Sequence, residues 1–357
     1  MAPLIRRLQQ TPGVETRLCN TGQHRDLLDP ILNFFEITAN YSLEVMLECQ
    51  GLPQLTSTII LKVQPVLQDF QPDYVLVHGD TTTSFAASLS AFYSDMKVVH
   101  VEAGLRTYQK KAPYPEEINR RLTAVLADIH FAPTQTAVNN LLSEGISKNV
   151  FVTGNTVIDA LLDAVLLINE QSEDIQRLKS KIDFSKRIIL FTGHRRENFG
   201  EGFEEVFSAL QFIASDRDDV IIVYPVHPNP KVKVVAEKYF DKSDKICLIQ
   251  PLNYDTFIWL MKQSYIILTD SGGIQEEAPS LGKPVLVLRE VTERPEAVEA
   301  GTVILVGTNR QKIINSTLRL LDDTNFYQQM SAISNPYGDG KACDRIIGYL
   351  KQLSIGN

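Results

Sequence analysis

Short runs of apolar and β-branched residues alternate along this chain with longer segments whose apolar positions return every three or four residues. "VETRLCNT" (14–21), "DYVLVHGD" (73–80), "KVVHVEAG" (97–104), "IHFAPT" (129–134) and "NVFVTGN" (149–155) read as strands. A second group follows: "RIILFTGHR" (187–195), "VIIVYPVH" (220–227), "KICLIQPL" (245–252), "YIILTDSGG" (265–273), "PVLVLRE" (284–290) and "VILVG" (303–307). Many of these runs are apolar on successive rather than alternate residues, the pattern of parallel strands covered by helices on both faces. The two groups are separated between Asn155 and Lys186, where the helical "VIDALLDAVLLI" gives way to the polar "NEQSEDIQRLKSK". Two doubly wound α/β domains are therefore predicted. Ligands of such sheets bind beyond the carboxyl ends of the strands, so the chemistry is sought there, and the active site is expected in the cleft between domains.

Length and composition change this picture little. At 357 residues the chain is long enough for two domains, and 44% hydrophobic with 22% charged residues suits a soluble enzyme. A net charge of −8 argues against nucleic acid as a partner. Cys19, Cys49, Cys247 and Cys343 lie far apart without zinc spacing, which reads as scattered thiols in a reducing cytoplasm. No signal peptide is visible in "MAPLIRRLQQ", and no apolar run approaches the ~20 residues that span a bilayer. Neither G-x-G-x-x-G after the first strand nor a Walker loop is present, so nicotinamide and P-loop ATP binding lack support, and no Cys/His cluster suggests a metal.

The strand exits carry acids, histidine and arginine. "VHGDTTT" ends a strand at Asp80, which serves either as a helix N-cap or as a functional carboxylate. Glu102 in "VEAGLRT" closes another buried strand, where an acid is costly unless paired or used. Glu116 and Glu117 in "APYPEEINRRL" open a helix after proline, and either can simply complement the helix dipole. Acids at three exits of one domain point to a shared cleft. In the second domain "TGHRRENFG" brings His194, Arg195 and Arg196 to a strand end, a set suited to a diphosphate. "TDSGGIQEE" adds two glycines that let a backbone approach a ligand, then a helix start with Glu276 and Glu277. His227 in "VHPNP" reads as part of a rigid turn, and Trp259 as core.

Taken together, "HGDTTT", "HVEAGLRT", "PEEINRR", "VTGNTVIDAL", "TGHRRENFG", "TDSGGIQEEAPSLGKPVLVLR" and "TERPEAV" resemble the bacterial non-hydrolysing UDP-N-acetylglucosamine 2-epimerases along essentially the whole chain. The resemblance implies a GT-B-like fold of two Rossmann-like domains. The first would comprise residues 1–155 with 343–357, its returning C-terminal helix included, and the second residues 156–342. It implies a cytoplasmic homodimer that interconverts UDP-N-acetylglucosamine and UDP-N-acetylmannosamine without cofactor, metal or membrane and supplies N-acetylmannosamine units for surface polysaccharide. The C2 hydrogen is not next to a carbonyl, so the route is elimination of UDP to a glycal and re-addition from the other face, which needs a base, a proton donor and a diphosphate cradle.

By resemblance, Asp80, Glu102 and Glu116 are the carboxylates, with their individual steps left open, and His194 assists departure of the diphosphate. Ser271, Gly272 and Gly273 seat the phosphates, Glu277 takes the ribose hydroxyls, Arg294 adds charge, and Leu252 and Phe257 line the uracil pocket. Glu276 is left as a structural carboxylate. Gln23, His24 and Arg25 match residues that bind a second, activating UDP-N-acetylglucosamine in some relatives. Family members carry a strand and a loop of the form G-T-R-P-E-A-I-K before the segment matching "MAPLIRRL", so the chain as it stands is expected to be poorly stable and nearly inactive; a wrongly chosen start with that segment encoded upstream is the simplest explanation, and a genuine truncated copy is the other. Three alternatives stay open: a GT-B glycosyltransferase, a hydrolysing epimerase, and a non-catalytic UDP-sugar binder.

Overall fold

The computed structural model describes the chain except residues 24, 47–49, 194–199, 228, 241–242, 293 and 356–357, and gives the backbone only of residues 26, 27, 230, 231, 354 and 355. The described residues form two compact units, Met1–Ala160 with Tyr337–Asn357, and Leu161–Pro336.

In the first unit the strands are β1 (Cys19–Asn20), β2 (Tyr41–Ser42), β3 (Tyr74–His78), β4 (Lys97–Val101), β5 (Ile129–Ala132) and β6 (Val150–Val152). They make two parallel sheets, β1–β2 and β3–β4–β5–β6. The run 14–21 thus contracts to its last residues, and the pair at Tyr41 was not foreseen from its polar surroundings. Alternation along β4 sorts its side chains by face. Val99 and Val101 join Ile129 and Phe131 under the helices Ala2–Gln9 and Ala342–Ile355, through Leu4, Leu8, Cys343, Ile346 and Leu350. Val98, on the opposite face, packs with Val77 against helices Leu52–Phe70 and Thr82–Tyr93. Both faces are covered, as the unbroken apolar runs required.

The second unit contains β7 (Arg187–Thr192), β8 (Val220–Pro225), β9 (Ile246–Ile249), β10 (Ile266–Thr269), β11 (Val285–Val287) and β12 (Val303–Leu305). They form one parallel sheet in the order β12–β11–β10–β7–β8–β9. Chain order therefore reverses at β7, whose neighbours are β8 and β10, and the crevice of a doubly wound sheet opens at that switch. Its core runs through Phe191, Phe207, Tyr224 and Phe240, with rings of Phe207 and Phe240 4.8 Å apart. Trp259 is buried beside Phe184, as its helical spacing suggested.

In the first unit β3 and β4 stop short of the runs that announced them where the backbone turns left-handed. Gly79 and Gly104 have φ of 66° and 92°, and Glu102 between them in chain order has φ 65°. At Gly104 the requirement is steric as well, since a Cβ would lie 2.2 Å from the Ala137 carbonyl oxygen.

Candidate active site

The carboxyl ends of β3 and β4 present the acids of the first unit. Asp80 follows Gly79 but does not cap the next helix; Thr81 does, its side chain accepting from the Ser84 amide at 3.2 Å. The Asp80 carboxylate instead takes a hydrogen bond from Arg120 Nη2 through Oδ2, and its backbone carbonyl accepts from Asn119 Nδ2 at 3.0 Å. Glu102 lies against the same turn: its Oε2 is 3.3 Å from His78 Nε2 and 3.4 Å from where a Gly79 Cβ would stand. A non-glycine residue held at positive φ stores strain that the surroundings must fix. Glu116 starts the helix Glu116–Leu126 and carries a buried Oε2 without a partner among the described residues. The next residue, Glu117, is fully buried and serves the protein: its oxygens accept from the amides of Thr107 and Tyr108, both at 3.0 Å. Asp80, Glu102 and Glu116 thus stand around one turn of helix and two strand exits.

In the second unit β7 and β10 are joined at the switch by the hydroxyls of Thr192 and Thr269, 2.7 Å apart. Thr269 Oγ1 also accepts from the Ser271 amide at 3.0 Å, which shapes the turn into the helix Gly272–Glu277. A Cβ at Gly273 would meet nothing within 4 Å among the described residues, whereas Gly272 is buried. The adjacent glutamates divide. Glu276, 4% exposed, accepts from Arg294 Nε at 2.7 Å and so positions that arginine. Glu277 is left near Tyr254; burial first, then the charge of Glu276, pushes its carboxyl up to about 8. Burial, then Glu277, raises the Tyr254 hydroxyl in turn. Leu252 and Phe257 are half-buried beyond β9 and in the helix Tyr254–Gln263. His194, Arg195 and Arg196 lie outside the described residues, as does His24.

The remaining candidates are already engaged. Gln23 Oε1 accepts from the Thr83 hydroxyl at 2.6 Å and its amide at 3.1 Å. Arg25 is exposed and paired with Asp29 and Glu44, each at 3.1 Å. His227 Nδ1 accepts from the Asn229 amide at 3.1 Å, the turn-stabilising role its prolines suggested. A cavity of about 660 Å³ opens at the other, amino ends of β4, β5 and β6, lined by Lys97, Asp128, His130 and Lys148, and is separate from the acids. No group of three or more His, Cys, Asp or Glu able to hold a metal exists among the described residues.

Sequence reasoning passed over Arg120 and Asn119, and left Glu117 beside Glu116 as a carboxylate that could simply complement the helix dipole. A signal was present in "PEEINRR": Arg120 stands three and four residues after the two glutamates, on one helical face.

The family described as UDP-N-acetylglucosamine 2-epimerase matches residues 6–351. The UDP-N-acetylglucosamine 2-epimerase of Escherichia coli K12 is 52% identical over 99% of this chain and 96% of its own. The Neisseria meningitidis UDP-GlcNAc 2-epimerase, solved bound to UDP-GlcNAc, is 49% identical with a TM-score of 0.89 over 99% of this chain and 96% of that one. A putative UDP-N-acetylglucosamine 2-epimerase from Listeria monocytogenes superposes with a TM-score of 0.92 at 44% identity, covering 100% and 93%. The two Rossmann-like units are those of a GT-B-like fold, as the sequence led one to expect. The chain is an isomerase belonging to the UDP-N-acetylglucosamine 2-epimerase family.

Proposed function

We propose that the protein interconverts UDP-N-acetylglucosamine and UDP-N-acetylmannosamine by inverting C2. The observation that supports this most is the placing of Asp80 and Glu102 at the exits of β3 and β4, with Asp80 held by the first turns of the helix that Glu116 opens, where a buried Glu116 oxygen has no donor among the described residues. In the forward direction one carboxylate removes the C2 proton while the C1–oxygen bond breaks and its electron pair leaves with UDP. The C1–C2 double bond of the glycal forms. UDP then adds back through its phosphate oxygen to C1, and a second carboxylic acid delivers a proton to the other face of C2. Positioned acids and bases are worth about 10²–10⁴-fold each in such transfers. The nucleotide is assigned to the second unit, on the turn Ser271–Gly273 with Glu277 and Arg294; that a UDP-sugar is the ligand is supported by the Neisseria relative solved bound to UDP-GlcNAc.

On this reading the product supplies N-acetylmannosamine units for surface polysaccharide, and the enzyme works in the cytoplasm, where Cys19, Cys247 and Cys343 remain thiols. A homodimer is part of the same proposal, in keeping with the exposed Leu61, Tyr93 and Val125 on helices of the first unit. Incubation with UDP-N-acetylglucosamine in deuterium oxide, followed by proton NMR, tests the reaction. The mannosamine nucleotide should appear with deuterium at C2. Release of free N-acetylmannosamine and UDP identifies a hydrolysing enzyme instead, and substrate unchanged after days at high enzyme concentration removes the proposal.

A further inference from the structure

We propose that Arg120 is a positioning residue: it fixes the Asp80 carboxylate by Oδ2 and leaves Oδ1 for the substrate, a role that rests on the epimerase reading above. Arg120 is 9% exposed, so its charge has largely left water, and a buried ion pair seldom repays that cost as stability. Nor does it use its fork as a stabilising arginine would. Nη2 goes to Asp80 Oδ2, Nη1 stands 3.8 Å from Glu117 Oε2, and Nε is buried without a partner among the described residues. The same unit contains the contrasting case. Arg106 binds both oxygens of Glu144, at 3.0 and 2.8 Å. Asp80 is held by one oxygen only, and its side chain keeps 28% of its surface exposed.

The grip is backed from behind. Glu117 cannot swing, because its two oxygens are committed to the amides of Thr107 and Tyr108, and it therefore offers Arg120 a fixed negative charge. Asn119 holds the Asp80 carbonyl at 3.0 Å, so consecutive residues of one helical turn secure both the backbone and the carboxylate of the same aspartate. Gly79, at φ 66°, supplies the bend that delivers Asp80 to that turn. A carboxylate located by backbone, guanidinium and a second carboxylate loses the rotational freedom that would spoil proton transfer, and small misplacements of a reacting group cost up to ~10²-fold.

The test compares wild type, Arg120→Gln, Arg120→Lys, Asp80→Asn and the double variant Arg120→Gln/Asp80→Asn, using deuterium entry at C2 over hours to days together with steady-state kinetics. Arg120→Gln should lower kcat about 10- to 100-fold, with KM and UDP affinity within about twofold of wild type, and Arg120→Lys should recover part of the loss. In the Asp80→Asn background the same substitution should cost nothing further, because its effect passes through the missing carboxylate. An Arg120→Gln enzyme with wild-type kcat, or an equal drop in both backgrounds, overturns the role and marks the arginine as structural. Wild-type protein that exchanges no deuterium at C2 overturns the epimerase reading itself, and the role with it.

Discussion

Acid should destabilise the first unit through two histidines that the fold keeps neutral. His100 and His130 are register partners on β4 and β5, 0% and 2% exposed, each with a buried Nδ1 lacking a partner among the described residues. Burial chiefly pushes His100 down to about 3; the Gly79 carbonyl bond opposes it, while His130, Arg106 and Arg120 add to it. Burial likewise pushes His130 down to about 4, against the Ala127 carbonyl and Asp128 and with Arg106. An unfolded imidazole titrates near 6.5. Between that value and about 4, the unfolded chain binds protons that the folded one refuses, so stability is present above 6.5 and falls with pH. At pH 5 the gap is about 1.5 units, or about 2 kcal/mol for each histidine. Glu277 acts in the opposite direction: its carboxyl, pushed up to about 8, costs stability at high pH and relaxes as pH falls toward 4.5. A difference between variants isolates the histidine. His130→Gln should lose about 2 kcal/mol less than wild type between pH 7 and pH 5, whatever its stability at pH 7. Urea titrations followed by far-UV circular dichroism measure this. Fluorescence of Trp259, the single tryptophan, reports the second unit separately. Equal pH dependence in the two proteins would refute the reasoning.

Other outcomes follow from the site and the turns. Glu277→Ala should weaken UDP binding by about 1–3 kcal/mol, whereas Glu277→Gln, which copies the protonated carboxyl favoured at pH 7, should keep most of it; calorimetry decides, and full affinity in the alanine variant removes Glu277 from the nucleotide. Asp80→Asn, Glu102→Gln and Glu116→Gln should each cut turnover by about 10²–10⁴-fold with UDP affinity little changed. Wild-type deuterium entry in all three would discard the carboxylate mechanism. Gly104→Ala forces a Cβ onto the Ala137 carbonyl at positive φ and should cost roughly 2–4 kcal/mol in urea denaturation; a stability change under 1 kcal/mol would show that the turn yields.

Why some of this was legible in the chain and some not comes down to range. Runs such as "RIILF" and "YIILT" are apolar at consecutive positions because both faces of their sheets are covered, and that is a local property. Glycines at 79 and 104 end strands by their own conformational freedom, so the exits that carry Asp80 and Glu102 could be found without coordinates. The short strand at Tyr41 escaped because a two-residue pair leaves no period to read.

Pairing is another matter. Asp80 read equally well as a cap, and only packing gave the cap to Thr81 and the carboxylate to Arg120, 40 residues away. Glu116 and Glu117 are neighbours in sequence, as are Glu276 and Glu277, yet adjacent residues on a helix point about 100° apart. One of each pair therefore turns into the protein: Glu117 takes two amides, and Glu276 takes Arg294. Sequence alone determined the family, the parallel sheets and the strand ends where polar groups collect, since each follows from local pattern and motif order. Tertiary structure decided which acids are spent on protein donors and which are not, because desolvation and hydrogen-bond partners are set by segments that meet only when the chain has folded.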